Sequence, residues 1–172
     1  MEREEQDYGK LNPDAPQELA QFAFLIGRWR CAVKLKREDG SWETLEARWE
    51  GRFILDGYAI ADEYRMTSRA GGLLVLGVNL RAYNPAKKAW SMKWLNALVG
   101  SWVDLGPEEL GGVQTDGQRI TYCTKEPVAA HALTRATYSS ISGDHFSYRG
   151  ERSNDGNTWD EFIAIEAYRN EG

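Results

Sequence analysis

Phe24-Leu25-Ile26-Gly27-Arg28-Trp29-Arg30-Cys31-Ala32-Val33-Lys34-Leu35 is where the periodicity of the chain changes. Upstream of it, Leu19, Phe22 and Ile26 recur at helical spacing. Asp14 can cap such a helix, Pro16 is tolerated in its first turn, and Gly27 suits its end. Downstream, Trp29, Cys31, Val33 and Leu35 alternate with Arg30, Lys34 and Lys36, the period of two expected of a half-buried strand. The stretch therefore predicts a short helix handed directly to the first strand of a sheet.

The same period continues outward. Glu38-Asp39-Gly40-Ser41 is a hairpin turn, because Asp-Gly supplies the positive φ angles such turns need. Leu45, Ala47, Trp49, Gly51 and Phe53 then alternate with Glu46, Arg48, Glu50 and Arg52. Strands follow at 58–67, 73–83, 90–96, 98–105, 118–125, 133–141, 145–152 and 159–169, punctuated by Asp56-Gly57, Gly71-Gly72, Asn84-Pro85, Asp116-Gly117, Ser142-Gly143 and Asn154-Asp155-Gly156. About ten strands joined by tight turns make an antiparallel meander. Closing it into a barrel removes the two exposed edges an open meander would leave. The expectation is an all-β chain: one antiparallel barrel over 16–172, a short helix across one end, and a flexible tail over 1–15.

Composition narrows the function classes. The net charge is −5 with both signs interleaved, so no basic run tracks phosphates and nucleic acid is disfavoured. No cationic amphipathic stretch suits a membrane surface, and no apolar run approaches the ~20 residues that span a bilayer. The polar, acidic start of the sequence does not read as a secretion signal, and Cys31 and Cys123 read as two reduced thiols, so a cytoplasmic location is expected. Aromatic residues are the anomaly: 7 Trp and 8 Tyr sit mostly in strand-like segments, where large rings fill a barrel or line a cavity.

Four segments together resemble a known family. Phe24-Leu-Ile-Gly-Arg-Trp29, Ile54-Leu55-Asp56-Gly57-Tyr58, Leu76-Gly77-Val78-Asn79 and Glu166-Ala167-Tyr168-Arg169 look like the DUF1579 family of bacterial lipocalin-like, or calycin-like, β-barrels. The resemblance spans about residues 20 to 170 and implies the barrel, while the family's activity is undefined. It also implies that Trp29 and Arg169 are the lipocalin Trp and Arg that stack on each other at the closed end of the barrel, a contact of roughly 1–2 kcal/mol when partly desolvated.

Chemical motifs are sparse. His131 and His145 are the two histidines, and neither has a second His at ligand spacing, so no metal is expected. The related nitrobindins hold haem through a His, but the further glycines of their opening are replaced here by Cys31, Val33 and Leu35, and the last strand has no His. No nucleophile-elbow pattern surrounds a serine. Ser153-Asn-Asp-Gly-Asn-Thr-Trp-Asp160 is rich in oxygen donors but departs from calcium-loop order, and reads as a hairpin turn.

The expected function is binding of a small, largely apolar molecule carrying one or two polar groups, without a cofactor. Tyr64, Met92, Trp94 and Tyr122 would supply apolar and aromatic surface, and His145, Arg149 and Glu161 a polar patch inside the cavity. The opposing reading turns the charges to water and Phe146 with Tyr148, or Phe162 with Ala164, inward. The alternative function is a cofactor-independent isomerase or cyclase using Asp62, Glu161 or His145. A solid barrel serving as an interaction module, and a homodimer joined through outer faces, are also compatible with the sequence.

Overall fold

The computed structural model describes residues 7–125 and 132–170. Strands β1 (Gly27–Lys36), β2 (Trp42–Ile54), β3 (Ala59–Thr67), β4 (Leu73–Asn84), β5 (Ala89–Asn96), β6 (Ser101–Leu105), β7 (Gln114–Asp116), β8 (Arg119–Lys125), β9 (Leu133–Ser139), β10 (His145–Ser153) and β11 (Asp160–Arg169) form one sheet. Their order is β6-β5-β4-β3-β2-β1-β11-β10-β9-β8-β7. All pairings between these strands are antiparallel, and β1 pairs with both β2 and β11. The curl brings β6 to β8, where the Gly106 N–H donates to the Cys123 carbonyl at 3.1 Å. The chain is thus an all-β, lipocalin-like barrel with a loosely joined seam. The strand missing from the sequence reading is β7, whose three residues are too few to show alternation.

The N-terminal helix is present over Gln17–Leu25, but it is a 3-10 helix rather than an α-helix. Pro16, not Asp14, precedes it, and no side chain caps it. Leu19, Phe22 and Leu25 are its fully buried residues. That spacing of three matches three residues per turn, so Leu25 takes the inward place an α-helical period assigns to Ile26. Within the expected tail, residues 1–6 lie outside the described residues. From Tyr8 onward the chain bonds to the β2–β3 connection: Phe53 N–H donates to Tyr8 O at 2.8 Å, and Asn12 N–H to Gly57 O at 3.2 Å.

The helix plugs one barrel end, which the Trp29–Arg169 contact seals. Trp29 pairs with Arg169 across β1 and β11, and the guanidinium carbon lies 4.3 Å from the indole centroid. Arg169 also donates to the carbonyls of Ile26 (3.0 Å) and Gly143 (2.6 Å), while the Trp29 indole N–H donates to Leu25 O at 3.1 Å. Gly27 is required here: its φ is +109°, and a Cβ would sit 2.5 Å from the Arg169 guanidinium.

Strand register sets which residues face in. Trp49 pairs with Tyr64, Tyr64 with Gly77, and Gly77 with Asn96. One inward row follows from another around the barrel, so Asp62, Asn79, Trp94 and Val103 share the interior.

Candidate functional site

The interior is layered: the helix plug, a polar floor above it, and a cavity toward the other end. At the floor, Asp62 of β3 and Arg81 of β4 are both fully buried. Removing such a pair from water is costly unless its hydrogen-bonding capacity is used. Here it is used. Arg81 donates to Asp62 through Nε (2.6 Å, Oδ1) and Nη2 (3.0 Å, Oδ2). Trp49 Nε1 and Asn79 Nδ2 donate to the same Oδ2 at 2.9 and 2.7 Å. Arg81 Nη1 points at Met92 Sδ (3.6 Å), and the Phe22 ring from the plug lies 4.4 Å under the guanidinium. Burial opposes the Arg81 charge, but Asp62 beside it prevails and raises its pKa well above the ordinary value.

The network continues into the cavity through two tyrosines. Arg81 Nη2 donates to the Tyr138 hydroxyl at 3.1 Å, and the Tyr138 and Tyr122 hydroxyls are 3.1 Å apart. Burial raises the Tyr138 pKa well above its ordinary value, with Arg81 opposing the shift, so the phenol is neutral.

Above this floor lies a cavity of about 750 Å³. Trp49, Tyr64, Trp94, Tyr148, Phe162 and Ile165 contribute its apolar wall, and Asn79, Tyr122 and Tyr138 its polar base. Gly77 makes room for Trp94: a Cβ there would overlap the indole and the Leu95 carbonyl. Local sequence places bulky rings on β5, and one missing side chain on β4 lets one of them lie against the wall.

Of the residues expected to bind a ligand, Tyr64, Trp94 and Tyr122 line the cavity. Met92 faces in but is buried beside Arg81, at the level of the floor. His145, Arg149 and Glu161 are corrected: all three lie on the outer wall. Phe146, Tyr148 and Gly150 are the inward residues of β10, opposite Ala167, Ile165 and Ile163. Glu161 has the parity of the inward Ile163 and Ile165, yet the register skips Phe162, pairing Gly150 with Ile163 and Glu151 with Glu161. That β-bulge turns Glu161 outward. His131 lies outside the described residues.

Outside, the charges pair with one another. Glu166 accepts from Ser147 Oγ (2.6 Å) and Arg149 Nη2 (3.2 Å), and sits 2.8 Å from His145 Nε2. Burial acts against the Glu166 charge, but the bonds from Ser147, His145 and Arg149 outweigh it and hold its pKa below the ordinary value. Ser, His and carboxylate do meet here, but Ser147 and His145 both bond the carboxylate rather than each other, so no base activates the hydroxyl. Among the described residues the cavity wall presents no imidazole. Asp155 accepts from Ser153 Oγ and from the Asn157 and Thr158 amides, which closes the 153–160 hairpin turn on itself. No helix among the described residues is long and apolar enough to cross a membrane.

Sequence reasoning missed Trp49, Asn79, Arg81 and Tyr138 as site residues. A signal existed in β4: Asn79 and Arg81 alternate with Leu76, Val78 and Leu80. Two polar residues inside a long apolar strand can mark a face aimed at a buried partner. The apolar row of β4 faces outward instead, because Asn79 and Arg81 share the row of Asp62.

A family model matches residues 15–169, under the description of a protein of unknown function, DUF1579. The chain belongs to the DUF1579 family. This DUF1579 barrel is similar to the crystal structure of Rv2717c from M. tuberculosis, at 13% identity and a TM-score of 0.63, covering 91% of this chain and 99% of that one. It is also similar to the S-type phycobiliprotein lyase CPES from Guillardia theta, at 11% identity and a TM-score of 0.55, covering 88% and 91%. At such identities the likeness of the DUF1579 chain to both is one of fold. No protein of curated function matches it.

Proposed function

We propose that this DUF1579 protein binds a small, mainly apolar molecule inside the barrel, with its polar end on the Asn79–Tyr122–Tyr138 base. One observation carries the reading: a cavity of about 750 Å³ with a largely apolar and aromatic lining, Asn79, Tyr122 and Tyr138 at its base, and Asn96, Ser101, Thr124, Thr134 and Arg135 elsewhere on the wall. That is the size and chemistry of small-molecule sites in general. A barrel packed solid would have filled this space with its own rings. Asp62, one of the three candidate groups of the enzymatic alternative, already accepts four hydrogen bonds at the floor. A carboxylate so engaged positions Arg81 rather than abstracting a proton from a ligand. The two unbonded cysteines support the reducing cytoplasm as the place where this occurs.

Native mass spectrometry of gently purified protein tests the reading. The expected result is an added mass that leaves on unfolding and is absent from Val103→Trp, which fills the cavity. An adduct retained by that variant would locate the ligand elsewhere. Protein that carries no adduct, and whose tryptophan emission ignores an apolar naphthalene probe, would overturn the proposal.

A further inference from the structure

The tyrosine pair at the cavity base keeps one O–H proton that its hydrogen-bond network does not place. A guanidinium has no lone pair to offer, so the Tyr138 oxygen is the acceptor of the bond from Arg81 Nη2. The two hydroxyls carry two protons between them and share one in their mutual contact. The other proton meets no acceptor among the described residues, and both hydroxyls belong to side chains that line the cavity. Whichever tyrosine donates to its neighbour, one O–H is left over on a side chain that lines the cavity. The cation behind Tyr138 polarises the chain of bonds and strengthens that donor.

The charges around the cavity select further. Arg81 is neutralised by Asp62 in a two-point contact. Arg135 is the one charged residue on the wall among the described residues, and it is bound by Glu151 through Nε (2.8 Å) and Nη2 (3.0 Å). An anion entering the cavity would lose its hydration and find no unpaired cation in return. A neutral acceptor loses less and still satisfies the spare hydroxyl.

Resting on the cavity-binding reading, we propose that the ligand is a neutral apolar molecule whose carbonyl oxygen accepts a hydrogen bond from the Tyr122–Tyr138 pair, and that free carboxylates are rejected. Ketones, aldehydes, esters and amides meet this description. Ionised fatty acids and aromatic acids do not.

Three probes of one shape separate the possibilities in the full-length protein: 2-acetylnaphthalene, 2-ethylnaphthalene and 2-naphthoate, each titrated at pH 7. The ketone is expected to bind at least about tenfold more tightly than the carboxylate, which has to shed its hydration. Replacing Tyr122→Phe and Tyr138→Phe together should lower ketone affinity about three- to tenfold and leave the hydrocarbon unchanged, the worth of one net hydrogen bond. Retained hydrocarbon binding shows that the variant's cavity is intact. Should that variant not fold, the infrared carbonyl stretch of the ketone bound to wild type serves instead. It is expected at lower wavenumber than in hexane. A carboxylate that binds as tightly as the ketone, an unshifted carbonyl stretch, or a double variant that binds the ketone as wild type does, would overturn the inference while leaving the cavity reading in place. Failure of all three probes to bind would remove the cavity reading, and the inference with it.

Discussion

Replacing Arg81→Met removes the cation from the barrel floor while keeping much of the side-chain volume. Asp62 would then stay buried with only the Trp49 and Asn79 donors on Oδ2, its Oδ1 partner gone. Tyr138 would lose the donor that ties it to the floor. Breaking one side of a buried ion pair costs about 3–5 kcal/mol, since it leaves an uncompensated charge. With a urea dependence of about 2 kcal/mol per molar, that corresponds to a midpoint lower by about 1.5–2.5 M. Asp62→Asn alone should cost a similar amount, by stranding Arg81. The double variant carries neither charge, and should cost about 2 kcal/mol less than the sum of the two single changes. Urea unfolding followed by tryptophan emission measures all three. A loss below about 1 kcal/mol for Arg81→Met, or strict additivity, would refute the argument that the floor is held by a mutually dependent buried pair.

Other expectations concern the two ends and the outer wall. Arg169→Ala should destabilise by about 1–3 kcal/mol, because it removes the indole stack and two bonds to carbonyls. Arg169→Lys should recover little of this, since an ammonium cannot stack and fork as a guanidinium does. Urea midpoints decide both. Burial pushes the Cys31 thiol up to about 12 and raises that of the half-buried Cys123 less. Iodoacetamide at pH 8 should therefore modify Cys123 alone in the native protein and both thiols in urea, a difference peptide mapping reveals. Glu166 has a folded pKa below its ordinary value, so its stabilising contribution is complete above about pH 4.5 and is lost as pH falls through the folded value. Melting temperatures of wild type and Glu166→Gln should differ at pH 7 and converge in acid; a gap that widens in acid would contradict the hydrogen-bonding geometry.

The strands were legible because their signals are local. Leu45 to Phe53 alternates without a break, and Asp39-Gly40 and Asp56-Gly57 mark turns by their own backbone demands. The Trp29–Arg169 contact was legible through resemblance, and the structure places the two side by side. The polar site was legible only in part. Tyr64, Trp94 and Tyr122 lie on strands with an evident inner face, and on β10 the apolar row of Phe146 and Tyr148 points inward as its own pattern requires, against the charged row of His145 and Arg149 that was expected inside. On β11 strict alternation points the wrong way for Glu161, because one extra residue, Phe162, resets the parity.

The amino-acid sequence by itself determined that this chain is a meander of amphipathic strands and where it turns. Those properties arise from side-chain period and backbone preference within a few residues. Only the tertiary structure decided what the inside contains. Asp62, Arg81 and Tyr138 are 19 and 57 residues apart along the chain, taken in order, and they meet because register carries one inward row from strand to strand. Barrel closure then sets the balance of charge, donors and empty volume. That balance is a property of rows from many strands at once, which no single segment contains.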